Sequence, residues 1–420
     1  MEKITAPRGT KDVLPEESRA WQILEGKLRE IAHRFGFREI RFPTFEDVAL
    51  FDRGVGETTD VVQKEMYDFY DKGDRHIALR PEGTASVVRS FIEHSLHTGT
   101  LPLKVYYIAP NFRYEKPQAG RLREHHQFGI ECFGASDATA DAEVISLAAT
   151  MLRELGIDEG VELHLNSCGC RECRKAYHEE LKAYFETKRS ELCPTCNDRL
   201  ERNPMRILDC KSDICKEISK GAPKISDYLC DDCRAHFEKL QACLTAVGIK
   251  FTLDPMLVRD LDYYTNTVFE FVSSSIGAQG TVCGGGRYNG LVESLGGVST
   301  PGLGFGCGIE RLMLTLEAAG KLPNERLVPD IFIAHADAEA ELVSHKLTYD
   351  LRALGIAAER DTTGRSLKAQ MKFAGKSGAK YSAVIGESER LEGKLTLKNM
   401  ENGETVECAL SAEEIAKILK

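Results

Sequence analysis

The sequence predicts a multidomain α+β protein with a cysteine-rich insert and a separate α/β unit in its C-terminal part. Strand-like and turn-like stretches between Gly36 and about Gly160 do not alternate cleanly with helices. Nine of the fourteen cysteines crowd into the stretch from Asn166 to Phe237, among short helical runs. From Pro329 onward, strand-like and helical segments alternate over about ninety residues, as in an α/β unit.

Local periodicity predicts the individual elements. A first helix is indicated by apolar residues at spacings of three and four, namely Trp21, Leu24, Leu28, Ile31 and Phe35. Strands are expected at Lys104–Ala109 and Gln127–Phe133, followed by a helix over Ala138–Leu155. A later helix is expected to begin near Cys307 and to run to Ala319.

Length and composition limit the class of protein. A chain of 420 residues suggests roughly two to four domains. Hydrophobic residues at 42% and charged residues at 29% are typical of a globular protein. Without a signal-peptide core or a long apolar stretch, the expectation is a cytoplasmic protein with reduced thiols and no membrane segment. Because the formal net charge is -10, contact with nucleic acid requires a local basic patch.

The segment Asn111–Gly134, NFRYEKPQAGRLREHHQFGIECFG, predicts a hairpin with its turn between Pro117 and Gly120. Arg113 lies on one limb, and Arg121 and Arg123 lie on the other. Guanidinium groups bind phosphates through paired hydrogen bonds, so the hairpin suits a polyphosphate, although a charged surface hairpin is the alternative. Three alternating residues of the return limb share one face: Gln127, Gly129 and Glu131.

Two further arginines have a candidate role. In GIERL, Arg311 opens a predicted helix after glycines and could meet a nucleotide phosphate; an ordinary glycine-packed helix start is the alternative. Arg259 lies between apolar Val258 and Leu261, where an unpaired charge would be costly. Its alternative role is a buried salt bridge.

Several ordered segments together resemble the class II aminoacyl-tRNA synthetases, in particular the histidyl-tRNA synthetase family. The resemblance to motif 1, motif 2, the two histidine signatures and motif 3 lies in Phe37–Asp60, Asn111–Gly134, Leu257–Phe271, Cys283–Gly297 and Gly302–Leu314. It implies a class II catalytic domain built on an antiparallel sheet at 1–165 and 245–320. It also implies a mainly helical, cysteine-rich insertion domain at 166–244 and an α/β anticodon-binding domain at 329–420.

The resemblance also implies the roles of the site residues. Arg259 and Arg113 would be catalytic, and histidine would be bound by Glu82, Gly83, Thr84, Arg113, Gln127, Glu131, Arg259, Tyr263 and Tyr264. ATP would be bound by Arg113, Glu115, Arg121, His125 and Arg311. Gly284–Gly286 would form a floor close to the ligand. Taken alone, the two tyrosines would be core residues.

The activity implied is histidine–tRNA ligation, in which L-histidine and ATP, with Mg2+, give histidyl-adenylate and pyrophosphate before transfer to the 3' end of tRNA(His). Lys116 and Gln118 would contact the tRNA, and the segment around Pro43 would lie at a homodimer interface. Two alternatives remain open from the sequence. One is a non-charging regulatory paralogue of ATP phosphoribosyltransferase, and the other is an RNA-binding scaffold.

A basic stripe is predicted near the C-terminal end. Between Arg365 and Lys380 there are five basic residues and no acidic ones. Lysines recur in steps of four, at Lys368, Lys372, Lys376 and Lys380, which predicts one side of a helix. The stripe is either a solvated helix face or, as the resemblance implies, a tRNA-binding surface.

The insert carries the spacing of thiolate metal sites. Two CxxC pairs, Cys193/Cys196 and Cys230/Cys233, are the first candidates for a structural zinc site. Further candidate ligands are Cys168, Cys170, Cys173, Cys210 and Cys215. Packed or redox-active thiols are the alternative, and the sequence does not say which cysteines share an ion.

Four residues depart from the family pattern. Lys116 stands in place of an arginine, His125 in place of a phenylalanine that stacks on adenine, and Gly375 in place of an acidic residue. Asp260 stands where glycine is usual, beside Arg259. A carboxylate there is expected to pair with the arginine or to strain the turn.

Overall fold

The computed structural model describes residues 3–56, 59–259, 261–274 and 280–420. Asp260 lies outside the described residues. The chain divides into two compact units, Met1–Asn324 and Glu325–Lys420, each with its own core. Within the described ranges, every helix is too short or too polar to cross a membrane.

The elements of the first unit follow in chain order. Its helices are α1 (Pro15–Arg34), α2 (Val48–Phe51), α3 (Thr84–Glu93), α4 (Ala138–Glu154), α5 (Arg171–Glu186), α6 (Pro194–Arg202), α7 (Asp213–Ser219), α8 (Asp231–Ala246), α9 (Leu291–Ser294) and α10 (Ile309–Ala318). Its strands are β1 (Arg38–Glu39), β2 (Phe45–Asp47), β3 (Tyr67–Tyr70), β4 (His76–Leu79), β5 (Leu103–Phe112), β6 (Glu124–Phe133), β7 (Val161–Ser167), β8 (Thr252–Leu253), β9 (Thr265–Ser273), β10 (Thr281–Arg287) and β11 (Gly302–Gly308).

A large sheet organises this unit, with the strand order β1-β5-β6-β11-β10-β9-β7-β8. The central strands from β5 to β7 pair antiparallel, as predicted, whereas the outer pairs β1–β5 and β7–β8 are parallel. The predicted hairpin is formed by β5 and β6, with Asn111 opposite His125. Because β5 ends at Phe112 and β6 starts at Glu124, its arginines lie on the connecting loop rather than on paired limbs.

The expected helix start near Cys307 is wrong by two residues. Cys307 is fully buried in β11 and pairs with Cys283 of β10, so the chain is still extended there. Helix α10 begins only at Ile309. The glycines before it favour neither state locally, and the sheet pairing decides.

The main core lies between the sheet and helices α1 and α4. The predicted stripe of α1 buries Leu24, Leu28 and Ile31, while Trp21 and Phe35 are partly buried at its edge. Burying three such aliphatic side chains is worth about 1.5–3 kcal/mol each, which fixes α1 on the sheet. Helices α5 to α7 and the start of α8 form a second core in which cysteines pack among the aliphatic and aromatic residues.

In the second unit, strands β12 (Ile331–His335), β13 (Ala358–Arg360), β14 (Tyr381–Ile385), β15 (Lys394–Asn399) and β16 (Thr405–Ala409) form a sheet of order β13-β12-β14-β15-β16. Its helices are α11 (Ala338–Ala353), α12 (Leu367–Ser377), α13 (Glu387–Glu392) and α14 (Ala412–Leu419). The first three strands are parallel, which confirms an α/β unit.

The basic stripe is shorter than the sequence predicted. Lys368, Lys372 and Lys376 are exposed on α12. Helix α12 ends at Ser377, where Gly378 takes a left-handed conformation with φ of 74°. Lys380 therefore lies beyond the helix, and its ammonium group pairs with Asp330 at 2.8 Å.

A buried ion pair joins the sheet to its covering helices. Arg287, at the end of β10, is 0% exposed and pairs with Asp141 of α4 at 2.5 Å. Its guanidinium also donates to the carbonyl oxygens of Ala135 and Asp137 at 2.7 and 3.1 Å. His236 of α8 approaches the same carboxylate at 3.3 Å. The charge is thus fully surrounded by partners, as a buried charge requires.

We expect Arg287→Met to lower the free energy of unfolding of the first unit by about 3–5 kcal/mol, because it leaves the Asp141 carboxylate buried without its cation. Urea unfolding followed by the fluorescence of Trp21, the single tryptophan, measures the change. Lys239→Met is the matched control. It removes the exposed pair of Lys239 on α8 with Asp137, the residue before α4, and should cost under about 1 kcal/mol. Equal losses in the two variants would contradict the role of burial.

Candidate active site

Glycines on β10 and β11 create the space in which the site lies. A Cβ added at Gly304 would lie 2.1 Å from a carboxylate oxygen of Glu131, and one at Gly306 would lie 2.3 Å from the amide of Gln127. On β10, a Cβ at Gly284 would meet the Arg259 guanidinium at 2.6 Å. Any side chain at these positions would displace a polar group of the site.

The predicted glycine floor is divided between two faces of the sheet. Gly284 lies against Arg259, and a Cβ added at Gly286 would lie 3.1 Å from the ring of Tyr264. Gly285 points the other way, against the backbone of β11, where a Cβ would meet the Gly304 carbonyl oxygen at 2.1 Å. Residues i and i+2 of a strand share a face, so only the outer two glycines adjoin the polar groups.

The carboxyl group of Glu131 lies at the centre of the polar pocket. Glu131 is 1% exposed and accepts hydrogen bonds from the Thr84 hydroxyl at 2.8 Å and the Tyr288 hydroxyl at 2.5 Å. Burial raises its pKa to about 8, even though these two hydrogen bonds act in the opposite direction. The group therefore holds its proton near neutral pH and can both donate and accept a hydrogen bond.

A second buried carboxyl group, Glu82, shapes the entry to α3. It accepts from the backbone amides of Thr84 and Ala85, both at 2.7 Å, and so satisfies two amides of the first helical turn. Burial raises the pKa of Glu82 as well. The ring of Tyr107 fits between Gly83 and Gly129, where added Cβ atoms would lie 2.4 and 2.1 Å from it.

Three tyrosine rings close the pocket. The Tyr263 ring lies 4.7 Å from that of Tyr264 and 5.8 Å from that of Tyr288, measured between centroids. Burial raises the pKa of all three hydroxyls, so they remain protonated donors. Rings of this kind supply an apolar wall with polar tips.

Arginines line the adjoining cleft, a cavity of about 380 Å3. Arg113, Arg121 and Arg259 all contribute to its wall. Arg121 pairs with the buried carboxylate of Glu115, while Arg113 donates to the Pro81 carbonyl oxygen at 2.8 Å. Pro81 directly precedes Glu82, so the hydrogen bond from Arg113 to Pro81 places the cleft next to the polar pocket.

Arg259 links the cleft to the pocket. Its guanidinium forms an ion pair with Glu270 of β9 and lies 5.8 Å from the centroid of the Tyr264 ring. The salt bridge that was the alternative role therefore exists, and it holds Arg259 at the wall of the cleft. Glu270 also accepts from the Thr281 hydroxyl at 2.8 Å.

Arg311 and His125 lie close to Arg113 and Arg121 but do not line the cleft. Arg311 donates to the carbonyl oxygens of Gly120 and Thr281 at 3.1 and 2.6 Å. Burial, followed by the charges of Arg121 and Arg113, lowers the pKa of Arg311. Burial and the neighbouring guanidinium groups lower the pKa of His125 to about 3, so its ring is neutral. A neutral imidazole retains a flat face for stacking.

The hairpin is joined to α10 by Glu310. Its carboxylate accepts from the backbone amide of His126 at 2.9 Å and contacts the ring Nδ1 at 2.9 Å. This contact fixes Arg311, the next residue, against the hairpin loop. The Glu310 carboxylate therefore holds the hairpin and α10 together.

The structure places most predicted residues together, with some exceptions. Gln127 lies on the sheet, where its side-chain oxygen accepts a hydrogen bond from the Asn111 side-chain amide at 2.9 Å. Lys116 and Gln118 are exposed on the hairpin loop, outside the pocket. Sequence reasoning missed three contributors: Tyr107, Glu270 and Tyr288. Tyr288 lies inside the segment Cys283–Gly297, which resembles a histidine signature, so its signal was present.

The cysteines of the insert form two groups. Cys170, Cys173, Cys230 and Cys233 make one group, and Cys193, Cys196, Cys210 and Cys215 make the other. Within each group the sulfur atoms lie within 4.8 Å of one another. The two CxxC pairs that were the first zinc candidates therefore belong to different groups, because one pair lies at the start of α6 and the other at the start of α8. Cys168 belongs to neither group found among the described residues.

Comparisons with known proteins agree with this geometry. A family model described as histidyl-tRNA synthetase matches residues 9–312, and one described as an anticodon binding domain matches residues 330–420. Over 416 residues the chain is 55% identical to the histidine–tRNA ligase of Caldanaerobacter subterraneus subsp. tengcongensis and 56% identical to that of Thermoanaerobacter sp. strain X514; each alignment spans 99% of both chains. The crystal structure of apo S. aureus histidyl-tRNA synthetase has a TM-score of 0.84 and 41% identity, and the match covers 100% of each chain.

The raised pKa of Glu131 predicts a pH dependence of stability. An unfolded glutamate has a pKa near 4.3. The stability contributed by the proton on Glu131 is therefore complete below that pH and is lost as the pH rises through about 8. Glu131→Gln should reduce the decline in the free energy of unfolding between about pH 5 and pH 8. Urea titrations measure it, with the exposed Glu238→Gln as control. A decline equal to that of the unchanged protein would contradict the raised pKa.

Proposed function

Because this chain belongs to the histidyl-tRNA synthetase family, we propose that it is a histidine–tRNA ligase that forms histidyl-adenylate and pyrophosphate from L-histidine and ATP and then charges tRNA(His). The observation that carries the proposal is the buried Glu131 carboxyl group, which accepts from the Thr84 and Tyr288 hydroxyls, together with a cleft lined by arginines. The pocket matches a small polar side chain, and the cleft matches a polyphosphate.

The histidine side chain would bind between Glu131, Tyr263 and Tyr264. An imidazole has one donor and one acceptor nitrogen when neutral, and a protonated carboxyl group together with tyrosine hydroxyls can satisfy both. The Tyr288 hydroxyl holds Glu131 in position at 2.5 Å. An amino acid without a matching side chain would leave these buried groups unpaired, so the pocket selects histidine without an editing step.

The α-amino group would lie near Glu82, Thr84 and Gln127. Glu82 is buried beside Arg113, and the charge of Arg113 partly offsets the effect of burial on its pKa. An ammonium group placed there would favour the ionised form of Glu82. The backbone at Gly83 is held close by the Tyr107 ring, which leaves the pocket no room for a larger residue there.

The phosphates of ATP would lie among the arginines. Arg113, Arg121 and Arg311 converge on one region, since the charge of each lowers the pKa of His125. Planar guanidinium groups are well suited to bind phosphate oxygens in pairs. The neutral ring of His125 would stack on adenine. Glu115, already paired with Arg121, would orient that arginine.

Magnesium would enter with ATP. Mg2+ requires oxygen ligands and is usually held by substrate phosphates, water and one or two carboxylates. Asp60, Glu65 and Asp209 line the arginine cleft, while Glu115 and Glu270 are paired with two of its arginines. They fit a Mg2+–ATP substrate in which the phosphates provide most of the coordination. The ion supplies charge neutralisation for phosphoryl transfer.

Arg259 is the proposed electrostatic catalyst, with Arg113 beside it. The histidine carboxylate attacks the α-phosphorus of ATP, and pyrophosphate leaves. Negative charge accumulates on the phosphate oxygens during attack, and a fixed guanidinium stabilises it. Glu270 and the Tyr264 ring hold Arg259 in place, so little reorganisation is needed. A ribose hydroxyl at the tRNA 3' end then takes the acyl group, and AMP leaves.

The parts of the chain are assigned accordingly. We assign the catalytic domain to 1–165 and 245–320, the insertion domain to 166–244 and the anticodon-binding domain to 329–420. Lys116 and Gln118, exposed on the hairpin loop, would contact the tRNA acceptor end. Since ATP and tRNA are its substrates, the protein would act in the cytoplasm.

A homodimer is proposed through the segment around Pro43. Arg80 is buried and donates to the Pro43 and Pro110 carbonyl oxygens at 2.6 and 2.7 Å, which fixes this segment on the sheet. Strands β2, β4 and β3 form a separate three-stranded sheet in that order, and its residues Phe45 and Phe69 are 56% and 46% exposed. Exposed aromatic residues on a rigid surface are typical of an interface.

The regulatory alternative is not supported by the comparisons. The 55% and 56% identical relatives that span the whole chain are histidine–tRNA ligases. A pure RNA-binding scaffold would not require a buried carboxyl pocket next to a cleft of paired arginines. The charging reaction explains both features.

The central test is histidine-dependent exchange of pyrophosphate into ATP. We expect exchange in the unchanged protein and a loss of about 10²–10³-fold in kcat for Arg259→Gln, since a fixed charge at the reacting phosphate is removed. Arg34→Gln is the matched control, because Arg34 is also ion-paired, with Glu154 at 2.7 Å, but lies on α1. Absence of exchange in folded, unchanged protein would favour the regulatory alternative. Full activity of Arg259→Gln would refute the catalytic assignment.

The basic stripe of α12 predicts a separable tRNA effect. Replacing Lys368, Lys372 and Lys376 by glutamine should weaken tRNA binding and make its salt dependence shallower, by about one unit of slope for each phosphate that is no longer neutralised. Pyrophosphate exchange should not change. The control replaces three exposed lysines of the same unit that are paired with acidic residues: Lys346, Lys394 and Lys417. Equal tRNA affinity of the two triple variants would count against the stripe.

A further inference from the structure

The two cysteine groups of the insert have the geometry of single-ion sites. A tetrahedral Zn2+ with Zn–S bonds of about 2.3 Å places its sulfur atoms about 3.8 Å apart. The sulfur atoms of Cys193 and Cys210 are 3.8 Å apart, and those of Cys170 and Cys173 are 3.5 Å apart. A disulfide would require about 2.05 Å, so these cysteines are not bonded to each other.

The local backbone favours thiolates in both groups. Helices α5, α6 and α8 each begin at the first cysteine of a pair: Cys170, Cys193 and Cys230 are their N-cap residues. A helix N-terminus stabilises negative charge and so favours ionised sulfur. Backbone amides also donate to sulfur: Cys230 to Cys173 at 3.1 Å, and Cys193 to Cys215 at 3.3 Å.

The small core of the insert is rich in cysteines. Cysteines make up a large part of its small core, alongside residues such as Tyr177, Leu181 and Phe185. A domain of this size seldom has enough apolar contact to stabilise itself, and a structural metal commonly supplies the difference. The thiols occupy core positions that aliphatic residues would otherwise fill.

We propose that the insert binds two Zn2+ ions, one through Cys170, Cys173, Cys230 and Cys233 and the other through Cys193, Cys196, Cys210 and Cys215. Each ion replaces the protons of four thiols. This assignment extends the structural zinc expected from the sequence. It rests on the cysteine geometry and not on the ligase activity.

The first site, the clasp, joins the two ends of the insert. It connects the start of α5 to the start of α8. It also lies near the loop that carries the tyrosines of the pocket, since Cys168 and Gly169 exchange backbone hydrogen bonds with Asn266 at 2.7 and 2.9 Å. Zn2+ in the clasp would fix where the insert leaves and re-enters the catalytic sheet.

The second site, the inner site, lies at the catalytic cleft. Cys193 and Cys210 line the same cavity as Arg113 and Arg259. The helix after Cys193 extends this contact, because Arg199 of α6 reaches Asp60 at 3.4 Å. Loss of the inner ion would therefore loosen one wall of the ATP cleft, whereas loss of the clasp would act at the ends of the insert.

Metal analysis of the full-length protein, purified without chelators, tests the stoichiometry. We expect two zinc ions per chain, one in Cys173→Ser, one in Cys196→Ser and none in the double variant. Cys243→Ser, in the last turn of α8 and in neither group, should retain two. Less than one zinc per folded chain, iron in place of zinc, or two ions retained in either single variant would overturn the proposal.

Cobalt substitution and kinetics complete the test. Cobalt in the unchanged protein should give the intense thiolate charge-transfer and tetrahedral visible bands of a four-sulfur site, at half the intensity in each single variant. Cys196→Ser should raise the KM for ATP in pyrophosphate exchange more than Cys173→Ser does; equal effects would refute the link to the cleft. Because zinc is counted without any substrate, a protein that holds two ions but lacks exchange would refute only the ligase function.

Discussion

The active site depends on one buried carboxyl group. Glu131 accepts from Thr84 at the start of α3 and from Tyr288 after β10, so three segments that are remote in sequence meet at two oxygen atoms. An unsatisfied carboxyl group in this position would be costly, and both hydroxyls are therefore required. Burial that holds the proton on Glu131 also makes it a hydrogen-bond donor, which an exposed glutamate would not be near neutral pH. The burial of Glu131 thus accounts both for the proposed selectivity for histidine and for the hydrogen bonds that join the three segments.

Space for this network comes from backbone without side chains. Gly304 and Gly306 on β11 leave room for the polar groups of β6, and Gly83 and Gly129 leave room for the ring of Tyr107. Glycines within strands weaken a sheet. Here the weakness is offset by neighbouring strands, because all seven residues of β11 pair with β6 and the five from Leu303 to Cys307 also pair with β10. The buried pair of Arg287 with Asp141 then fixes β10 to the helical layer.

The arginines of the cleft can bind a negatively charged ligand, and two of them are paired with carboxylates when no ligand is bound. Arg121 is paired with Glu115, and Arg259 is paired with Glu270. Such pairs keep long side chains in fixed positions, and a bound phosphate would add to their partners instead of ordering them afresh. The insert contributes another wall of this cleft, through residues next to its inner cysteine group. A change in the structure of the insert would therefore change the wall of the cleft.

Sequence alone determined what depends on local chemistry and on spacing. The stripe of α1, the hairpin Asn111–Gly134, the shift to α/β structure after Pro329 and the family resemblance could all be read from residue order, because periodicity and motifs are local properties. Only the tertiary structure decided which cysteines are neighbours, that Tyr288 and Tyr107 complete the pocket, and that Cys307 belongs to a strand and Lys380 to no helix. These outcomes depend on strand pairing and on contacts between distant segments, such as that of Tyr288 with Glu131, 157 residues apart. No local pattern encodes such contacts, since each partner is chosen by the packing of the whole unit.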